Sequence, residues 1–326
     1  MTNKFSIDKF ISLLYRQAAT IPLENFSLWA LDLLQQVIPF DAAIWATGDI
    51  NSEQFHTQTS LNISPEIFSN LKKHLHINPI YATLIANKGQ AADMSEVLSD
   101  NDFYQSDLYR DCYKPLAIER ILSSIHLDED SGVFTIVSLY RYNRQQVFTL
   151  AEKQKQNRLL YHVVAAAAYR QVLALNEHGQ INNGELASAL CDKEGVYHAV
   201  EDKFLALIAP VVTPNSQSFP IAIANKKNKF SLADLHFTQQ KVGQLFRLTV
   251  RKKSVIDILT EREKQVVAGI CQGSTFKQIA KQLHLSPSTV SNHLYRIYDK
   301  LNVHSRSQLV TMLQKQSNFI NLKVDQ

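Results

Sequence analysis

Cysteine is scarce. Cys112, Cys191 and Cys271 are the only three in 326 residues, and none forms a C-x-x-C pair or a Cys/His cluster at metal-ligand spacing. That distribution argues against a disulfide framework and a zinc site, and fits a reducing compartment. Long apolar runs are also missing: the most apolar stretch, Val163 to Ala168, is far too short to span a bilayer and is bracketed by His162 and Arg170. The opening MTNKFSIDKFISLLYRQ carries an acid at Asp8 and lacks a small-residue cleavage site, so no secretion signal is read there. A soluble, cytoplasmic protein without membrane contact is the expectation. Nucleophile-elbow, H-E-x-x-H, dinucleotide and G-x-x-x-x-G-K-[ST] patterns are absent, and spacing identifies no partner for the acids near Asp107 and Asp111. No catalytic residue, metal or cofactor is therefore expected, and the chain is not read as an enzyme.

What is present is enough apolar sequence, 45% against 20% charged, for two or three domains with their own cores. The formal net charge of +4 is unevenly spread. Arg251 to Gln326 holds 12 basic and 5 acidic residues, leaving 22 basic and 25 acidic before it. The last quarter is the part suited to a polyanion.

Residues 1–175 read as a mixed unit: helical patterns at Phe5 to Ala19 and Leu23 to Val37, then β-prone runs at Ala42 to Ala46, Ile121 to Leu127 and Val133 to Tyr140. A long helix closes it, with Thr149 and Glu152 as a reciprocal capping box. Leu160, Val163, Val164 and Ala167 share one face of that helix. Packing on its own domain is favoured for this face over a dimer seam. Asn176 to Asn183, polar and containing Gly179, reads as a linker. In residues 184–251, Leu186 to Cys191 and Val196 to Ala199 flank Asp192-Lys193-Glu194-Gly195, a hairpin signal. A short helix (Glu201 to Ile208), a stretch with Pro210, Pro214 and Pro220, and two strand-like runs (Phe230 to Phe237, Gln244 to Val250) complete a small α+β unit.

From Leu259 the pattern sharpens. Thr260 and Glu263 form a second capping box, and Val266, Val267 and Ile270 give a buried helix face. After Gln272-Gly273-Ser274, Ser274 or Thr275 caps a second helix with Ile279, Ala280 and Leu283 inward, Ala280 being small enough for a close crossing. A tight turn at His284-Leu285 leads to Ser286-Pro287, a hydroxyl cap before a proline at the first helical position. In the third helix Val290, Leu294, Ile297 and Leu301 form the core row, which leaves Ser288, Ser291, Asn292, Tyr295 and Arg296 outward. A fourth helix starts at Ser305 with Gln308 and buries Leu309 and Leu313. Two short helices with a tight turn, the second polar outside, form a helix-turn-helix suited to the major groove.

The stretches LTEREKQVV (Leu259 to Val267), GSTFKQIAKQLHLSPSTVSNHL (Gly273 to Leu294) and IYDKLNVHSRSQLV (Ile297 to Val310) resemble the LuxR-type (GerE) DNA-binding domain, over about a fifth of the chain. The resemblance implies that Ser291, Asn292 and Tyr295 read base edges, and that Lys277, Thr289, Arg296 and Lys300 approach phosphates, with Ser286 and Ser288 beside them at the helix start. Position 291, frequently Lys or Arg in that family, is Ser here. His293 borders the core and reads as structural. Lys264, Lys281 and Arg306 read as solvated charge, and Arg251-Lys252-Lys253 as either a DNA contact or a hydrated linker.

Upstream, the order of a phosphorelay receiver is not evident in residues 1–125. FDAAIWAT (Phe40 to Thr47), NPIYATLIA (Asn78 to Ala86), FYQSDLYRDCYKPLAIE (Phe103 to Glu119), LYRYN and FTLAEKQ are similar to GAF-like or autoinducer-binding α/β sandwiches. ALCDKEGVYHAVEDKFLALI (Ala189 to Ile208) resembles a PAS domain. Acyl-homoserine-lactone receptors commonly carry Asp-Pro and a later Trp; here Asn78-Pro79 stands instead and no Trp follows Trp45. A sandwich pocket would be lined by aromatics, and Trp45, Tyr81, Phe103, Tyr104, Tyr109 and Tyr113 are the candidates, set against ordinary core packing.

The expected fold is multidomain: a GAF-like α+β sandwich (1–175), a PAS-like α+β sandwich (184–251) and an all-α four-helix helix-turn-helix domain (256–320). The expected function is a homodimeric transcription regulator of a quorum-sensing type. It would bind double-stranded DNA at a pseudo-palindrome, respond to a small molecule or a partner, and, as the resemblance implies, act on RNA polymerase. The alternative is an anti-activator that titrates a related regulator through mixed dimers.

Overall fold

A computed structural model of the chain describes residues 5–50, 54–129, 132–176, 186–212, 217–220 and 228–315. The segment read as a linker lies outside them beyond Asn176, as does Pro214. Helices α1 (Ile7–Ala18) and α2 (Leu23–Gln35) come first, α1 capped by Ser6, whose hydroxyl accepts from the Lys9 amide at 3.1 Å. There follow β1 (Ala42–Asp49), β2 (Gln54–Leu61), α3 (Glu66–Lys73), α4 (Pro79–Ala86), β3 (Ala92–Asp93), α5 (Met94–Val97), α6 (Asp100–Gln105), β4 (Arg120–Leu127), β5 (Val133–Arg141) and α7 (Leu150–Asn176).

The five strands form one antiparallel sheet in the order β2-β1-β5-β4-β3. Its central β1 is buried on both faces, which is why Ala42 to Ala46 reads as a continuous apolar run rather than an alternation. Ala43 and Trp45 face a core shared with Phe10, Phe26, Leu31, Leu160 and Val163. Ala42, Ile44 and Ala46 face another, built with Ile67, Phe68, Ile80 and Leu84. Leu160 and Val163 of α7 are thus buried in their own unit, with Val164 and Ala167 packed against the same core. Strand β2 was not foreseen: QFHTQTSL sits at the sheet edge and is mostly polar.

A second antiparallel sheet comprises β6 (Ala187–Cys191), β7 (Tyr197–Val200), β8 (Lys229–Leu232), β9 (Leu235–Val242) and β10 (Leu245–Lys252), in the order β7-β6-β10-β9-β8, with α8 (Asp202–Ile208) between β7 and β8 in sequence. Phe204 and Ile208 of α8 cover one face together with Phe219, Phe237 and Leu248. On the opposite face Leu190 and Leu245 meet Leu175 of α7 and Leu23 of α2. The long helix therefore serves both sheets. The run Phe230 to Phe237, read as one strand, is a hairpin: the chain reverses at Ala233, φ 48°, and Phe230 stacks on Phe237 with ring centroids 5.0 Å apart. Continuous β-propensity hid that turn, because Ala-Asp lacks the glycine that normally marks one.

The C-terminal helices are α9 (Glu261–Cys271), α10 (Phe276–Gln282), α11 (Pro287–Leu301) and α12 (Arg306–Lys315). Val266, Val267, Ile270, Ile279, Val290, Leu294, Ile297, Leu301, Leu309 and Leu313 are all buried in one core. α9 and α10 approach closely at Gly269, where a Cβ would lie 2.8 Å from Ile279 Cγ1, and Ala280 is buried in the same core.

Candidate nucleic-acid interface

Thr275 Oγ1 accepts from the Gln278 amide at 3.3 Å, while Gln278 Oε1 accepts from the Thr275 amide at 2.7 Å, so α10 starts on a closed capping box. Its exit is tight: His284 takes φ 53°, and the Leu285 amide donates back to the Ala280 carbonyl at 2.8 Å. Ser286 then caps α11, its hydroxyl accepting from the Thr289 amide at 3.0 Å with Pro287 at the first helical position. These local bonds set the angle at which α11 leaves the body. The helix ends at Asn302, φ 49°.

The outer side of α11 is open. Ser288, Ser291, Asn292, Tyr295 and Arg296 are all exposed, Tyr295 to 76%. A tyrosine that exposed contributes little to its own domain's packing, so its ring is available to a partner surface. Ser286 and Thr289 are spent locally: the Ser286 hydroxyl lies 2.7 Å from that of Ser288 and 2.8 Å from that of Thr289. Lys277 is exposed on α10. Lys300 is placed differently from the other cations, because its ammonium holds both carboxylate oxygens of buried Glu263 at 2.7 and 2.9 Å. Burial pushes the Glu263 carboxyl up, but Lys300 and the Thr260 donors outweigh it and hold it below the ordinary glutamate value. Arg306, expected as solvated charge, donates to the Ile270 and Ser274 carbonyls at 3.3 and 3.1 Å and ties α12 to the end of α9.

Residues 257–313 match the family model of bacterial regulatory proteins, luxR family (GerE). The C-terminal segment is a LuxR-family helix-turn-helix domain. That makes it a DNA-binding module of transcription regulation, not a catalytic one. Response regulator UvrY of Escherichia coli K12 is 43% identical over 51 residues, which are 16% of this chain and 23% of that protein. The probable transcriptional regulatory protein NarL of Mycobacterium tuberculosis H37Rv is 36% identical over 66 residues, 20% of this chain and 31% of that one. The chain thus spans less than a third of the length of these relatives. Among solved structures, Escherichia coli SdiA covers 96% of this chain and 98% of its own at a TM-score of 0.40 and 11% identity. The N-acylhomoserine-lactone-dependent LuxR-family factor CepR2 of Burkholderia cenocepacia covers 48% and 90% at 0.37 and 12%. Likenesses this loose leave the N-terminal units to be read from their own side chains.

Arg251 joins the LuxR-type domain to what precedes it. Its guanidinium grips both Asp257 oxygens at 2.6 Å, and Asp257 also accepts from the Ser254 amide at 2.7 Å. Burial raises the Asp257 carboxyl, yet Arg251 and Ser254 hold it below the usual aspartate value. The residue read as a DNA contact or a hydrated linker is instead the clamp between β10 and the helical domain.

Of the aromatic candidates upstream, Trp45 stands apart from the other five, which adjoin one another through Tyr113, its ring centroid 5.9 Å from that of Phe103. Trp45 is buried on the α1/α2/α7 side of the first sheet and borders a cavity of about 330 Å³ that reaches the second sheet, with Thr47, Thr57, His126 and Tyr197 also in its walls. On the opposite side, Tyr81 and Tyr113 line a space of only about 30 Å³. Asn78, the cap of α4, donates there to the Tyr113 hydroxyl at 3.4 Å. Phe103, Tyr104 and Tyr109 pack edge-to-face on one another, and the Tyr104 and Tyr109 hydroxyls donate to Glu119 at 2.8 Å each. Among the described residues, no helix is long and apolar enough to cross a membrane.

Proposed function

We propose that the chain is a sequence-specific DNA-binding transcription regulator that works as a homodimer and reads a pseudo-palindrome through paired copies of α11. The observation that carries this reading is the exposed polar face of α11, with Asn292 and Tyr295 outward between a capped start and a buried core row. Asn292 has the donor–acceptor pair that suits adenine, and Arg296 and Lys277 suit phosphates. Ser291 adds a short hydroxyl along the same edge, and Ser286, Ser288 and Thr289, whose hydroxyls are already hydrogen-bonded among themselves, stand beside it at the helix start. Lys300 contributes less to phosphate contact than its exposure suggests, since Glu263 already neutralises it. One domain of this size contacts too few bases for selective binding, which is why a dimer is required.

The two N-terminal α+β units are the regulatory part in this reading: a GAF-like or autoinducer-binding-like unit over 1–175 and a PAS-like unit over 184–251. The larger cavity, with its mixed threonine and aromatic walls, is the better place for a small molecule than the space beside Tyr81 and Tyr113, which holds little more than water. RNA polymerase is the downstream partner.

The test is selection of genomic duplex fragments by the purified full chain, followed by titration of the selected site against salt. Affinity should fall by roughly a thousandfold or more between 50 and 200 mM salt if about six phosphates are neutralised. Arg296→Ala should weaken binding on all sequences and lower the salt slope by about 1 per copy, or about 2 for the dimer. A chain that retains no duplex at low salt, yet captures a second LuxR-type regulator, would replace this reading with that of an anti-activator.

A further inference from the structure

We propose that His56, Asp192 and His198 form a binding site for a divalent transition-metal ion of the zinc class, set between the two N-terminal sheets. His56 lies on β2 of the first sheet, Asp192 directly after β6, and His198 on β7 of the second. One donor atom from each lies within 4.8 Å of the other two, the only such grouping of three among the described residues. No local spacing announces it, because the ligands come from separate sheets.

Three features point to a cation rather than to ordinary packing. First, His56 Nδ1, Asp192 Oδ2 and His198 Nε2 are all buried without an aligned hydrogen-bond partner. His56 Nδ1 and Asp192 Oδ2 are 2.9 Å apart, with side chains only 3% and 1% exposed, but out of hydrogen-bonding alignment. His56 and Asp192 meet only each other, His198 Nε2 has no hydrogen-bond partner, and the three converging groups share one remedy, a common positive charge. Second, the carboxylate is held in place from behind. Asp192 Oδ1 accepts the amides of Glu194, Gly195 and Val196 at 3.0, 2.8 and 2.9 Å, which leaves Oδ2 turned toward the histidines. Such support of the non-ligating oxygen is what orients a metal-binding carboxylate. The Asp-Lys-Glu-Gly hairpin thus does more than reverse the chain. Third, the donor set of two imidazoles and one carboxylate is one that zinc and its neighbours take, and it is one short of four-coordination. His198 also borders the cavity of about 330 Å³, from which water or a small ligand would supply the fourth donor.

Metal bonds of about 2.0–2.2 Å place tetrahedral donors roughly 3.5 Å apart, so His56 and Asp192, at 2.9 Å, open by about half an ångström while His198 closes on them from within 4.8 Å, adjustments within reach of χ rotation. The ion would add a bond between sheets already joined by Gln58 and Gln244, whose side-chain amide donates to the Gln58 carbonyl at 2.6 Å and accepts its amide at 2.8 Å. Gly243, at φ 61°, borders the same cavity as His198 and lets the β9–β10 turn approach Glu24 of α2 within the space a Cβ would fill. Metal binding at this junction stands whether or not α11 reads DNA.

The experiment is titration of tag-free, chelator-treated full chain with Zn²⁺ by calorimetry, and with Co²⁺ by visible absorption. One equivalent per chain is expected, with a Co²⁺ spectrum of low-symmetry nitrogen and oxygen ligation. Asp192→Asn keeps the oxygen that accepts the three amides and removes the charge. It and His198→Gln should each weaken Zn²⁺ at least tenfold, and together with His56→Gln abolish the stoichiometric site. His76→Gln, at an exposed histidine, should leave it unchanged. Circular dichroism of each variant separates loss of a ligand from loss of fold. A variant that unfolds is replaced by competition of Zn²⁺ against Co²⁺ on the intact chain, where absence of a one-to-one exchange overturns the proposal. Failure of the wild-type chain to take up one equivalent overturns it too, as does Zn²⁺ binding that survives the triple substitution.

Discussion

The C-terminal helical domain and the two N-terminal sheets handle their polar groups in opposite ways. In the helical domain the decisive bonds are local: Thr260 with Glu263, Thr275 with Gln278, Ser286 with Thr289, each three residues apart. In the sheets the decisive bonds join different strands, as with Ser123 and Ser138 across β4 and β5 at 2.7 Å, or Gln58 with Gln244 between the two sheets. The local pattern leaves one helix face free of internal obligations, and that face can be given to a partner. The distant pattern spends its polar groups on joining strands, within a sheet and between the two sheets beside the cavity. The difference teaches which part of the chain is an interface and which is a frame.

The comparison breaks if the two regions do not melt separately. Ile297, on the inner face of α11, is fully buried, so Ile297→Ala should cost about 2–5 kcal/mol of domain stability. For a domain of this size that lowers its midpoint by at least ~10 °C. Scanning calorimetry should show the C-terminal transition falling while the N-terminal one stays. A single transition moving as a whole would mean that the clamp at Arg251 makes one folding unit of both regions. The outer face is tested next: Asn292→Ala should cost about 1–3 kcal/mol at one base position and little elsewhere, measured by competition among operators changed one base at a time. Uniform loss at all positions would make Asn292 a positioning contact rather than a reader.

The same contrast explains what was legible in the sequence. Caps, the core row Val290-Leu294-Ile297-Leu301 and the turn at His284 are short-range signals with a period, and these elements of the helical domain appear as read, while the close approach at Gly269 carries no such signal. In the sheets, β1, β4 and β5 were visible as apolar runs, because strands buried on one or both faces must be apolar. β2 was not, because an edge strand has no such requirement. The Ala233 reversal was hidden for want of a glycine. Arg251, Lys300 and Arg306 look alike in sequence to any exposed cation, and only the fold brings their acids and carbonyls to them. The grouping of His56, Asp192 and His198 carries no local spacing, because its members come from β2, the end of β6 and β7.

Two electrostatic predictions sharpen the comparison at smaller scale. Arg251→Ala removes a two-pronged, partly exposed bond and should lower the C-terminal transition by about 1–2 kcal/mol after allowance for solvent screening, leaving the N-terminal transition in place. Equal loss in both would show that the clamp supports the sheets as well. Glu263 and Asp257 both have folded pKa values held below their ordinary ones. Their contribution is therefore complete above the unfolded values near 4.5 and 3.8, and is lost as pH falls through the folded ones. The helical domain should weaken below about pH 4, and Glu263→Gln should flatten that dependence. Unchanged acid sensitivity in that variant would assign the effect to other groups.

The smallest effect comes from two left-handed turns, one in each region. Ala233 in the β8–β9 hairpin and His284 in the helix-turn-helix have nearly the same φ, 48° and 53°. For an alanine that conformation costs about 1–2 kcal/mol, because Cβ crowds the carbonyl. Glycine removes the crowding but gives the unfolded chain more freedom, worth about 0.5–1 kcal/mol. Ala233→Gly should therefore stabilise the N-terminal transition by up to ~1 kcal/mol. Histidine tolerates the left-handed region better than most residues, so His284→Gly starts from a smaller penalty and should be neutral or slightly destabilising. The two substitutions are chemically alike and differ only in what they replace, so opposite signs in the two transitions would tie the strain to the alanine. Equal shifts would mean that loop context, rather than the side chain at the positive φ, sets the cost.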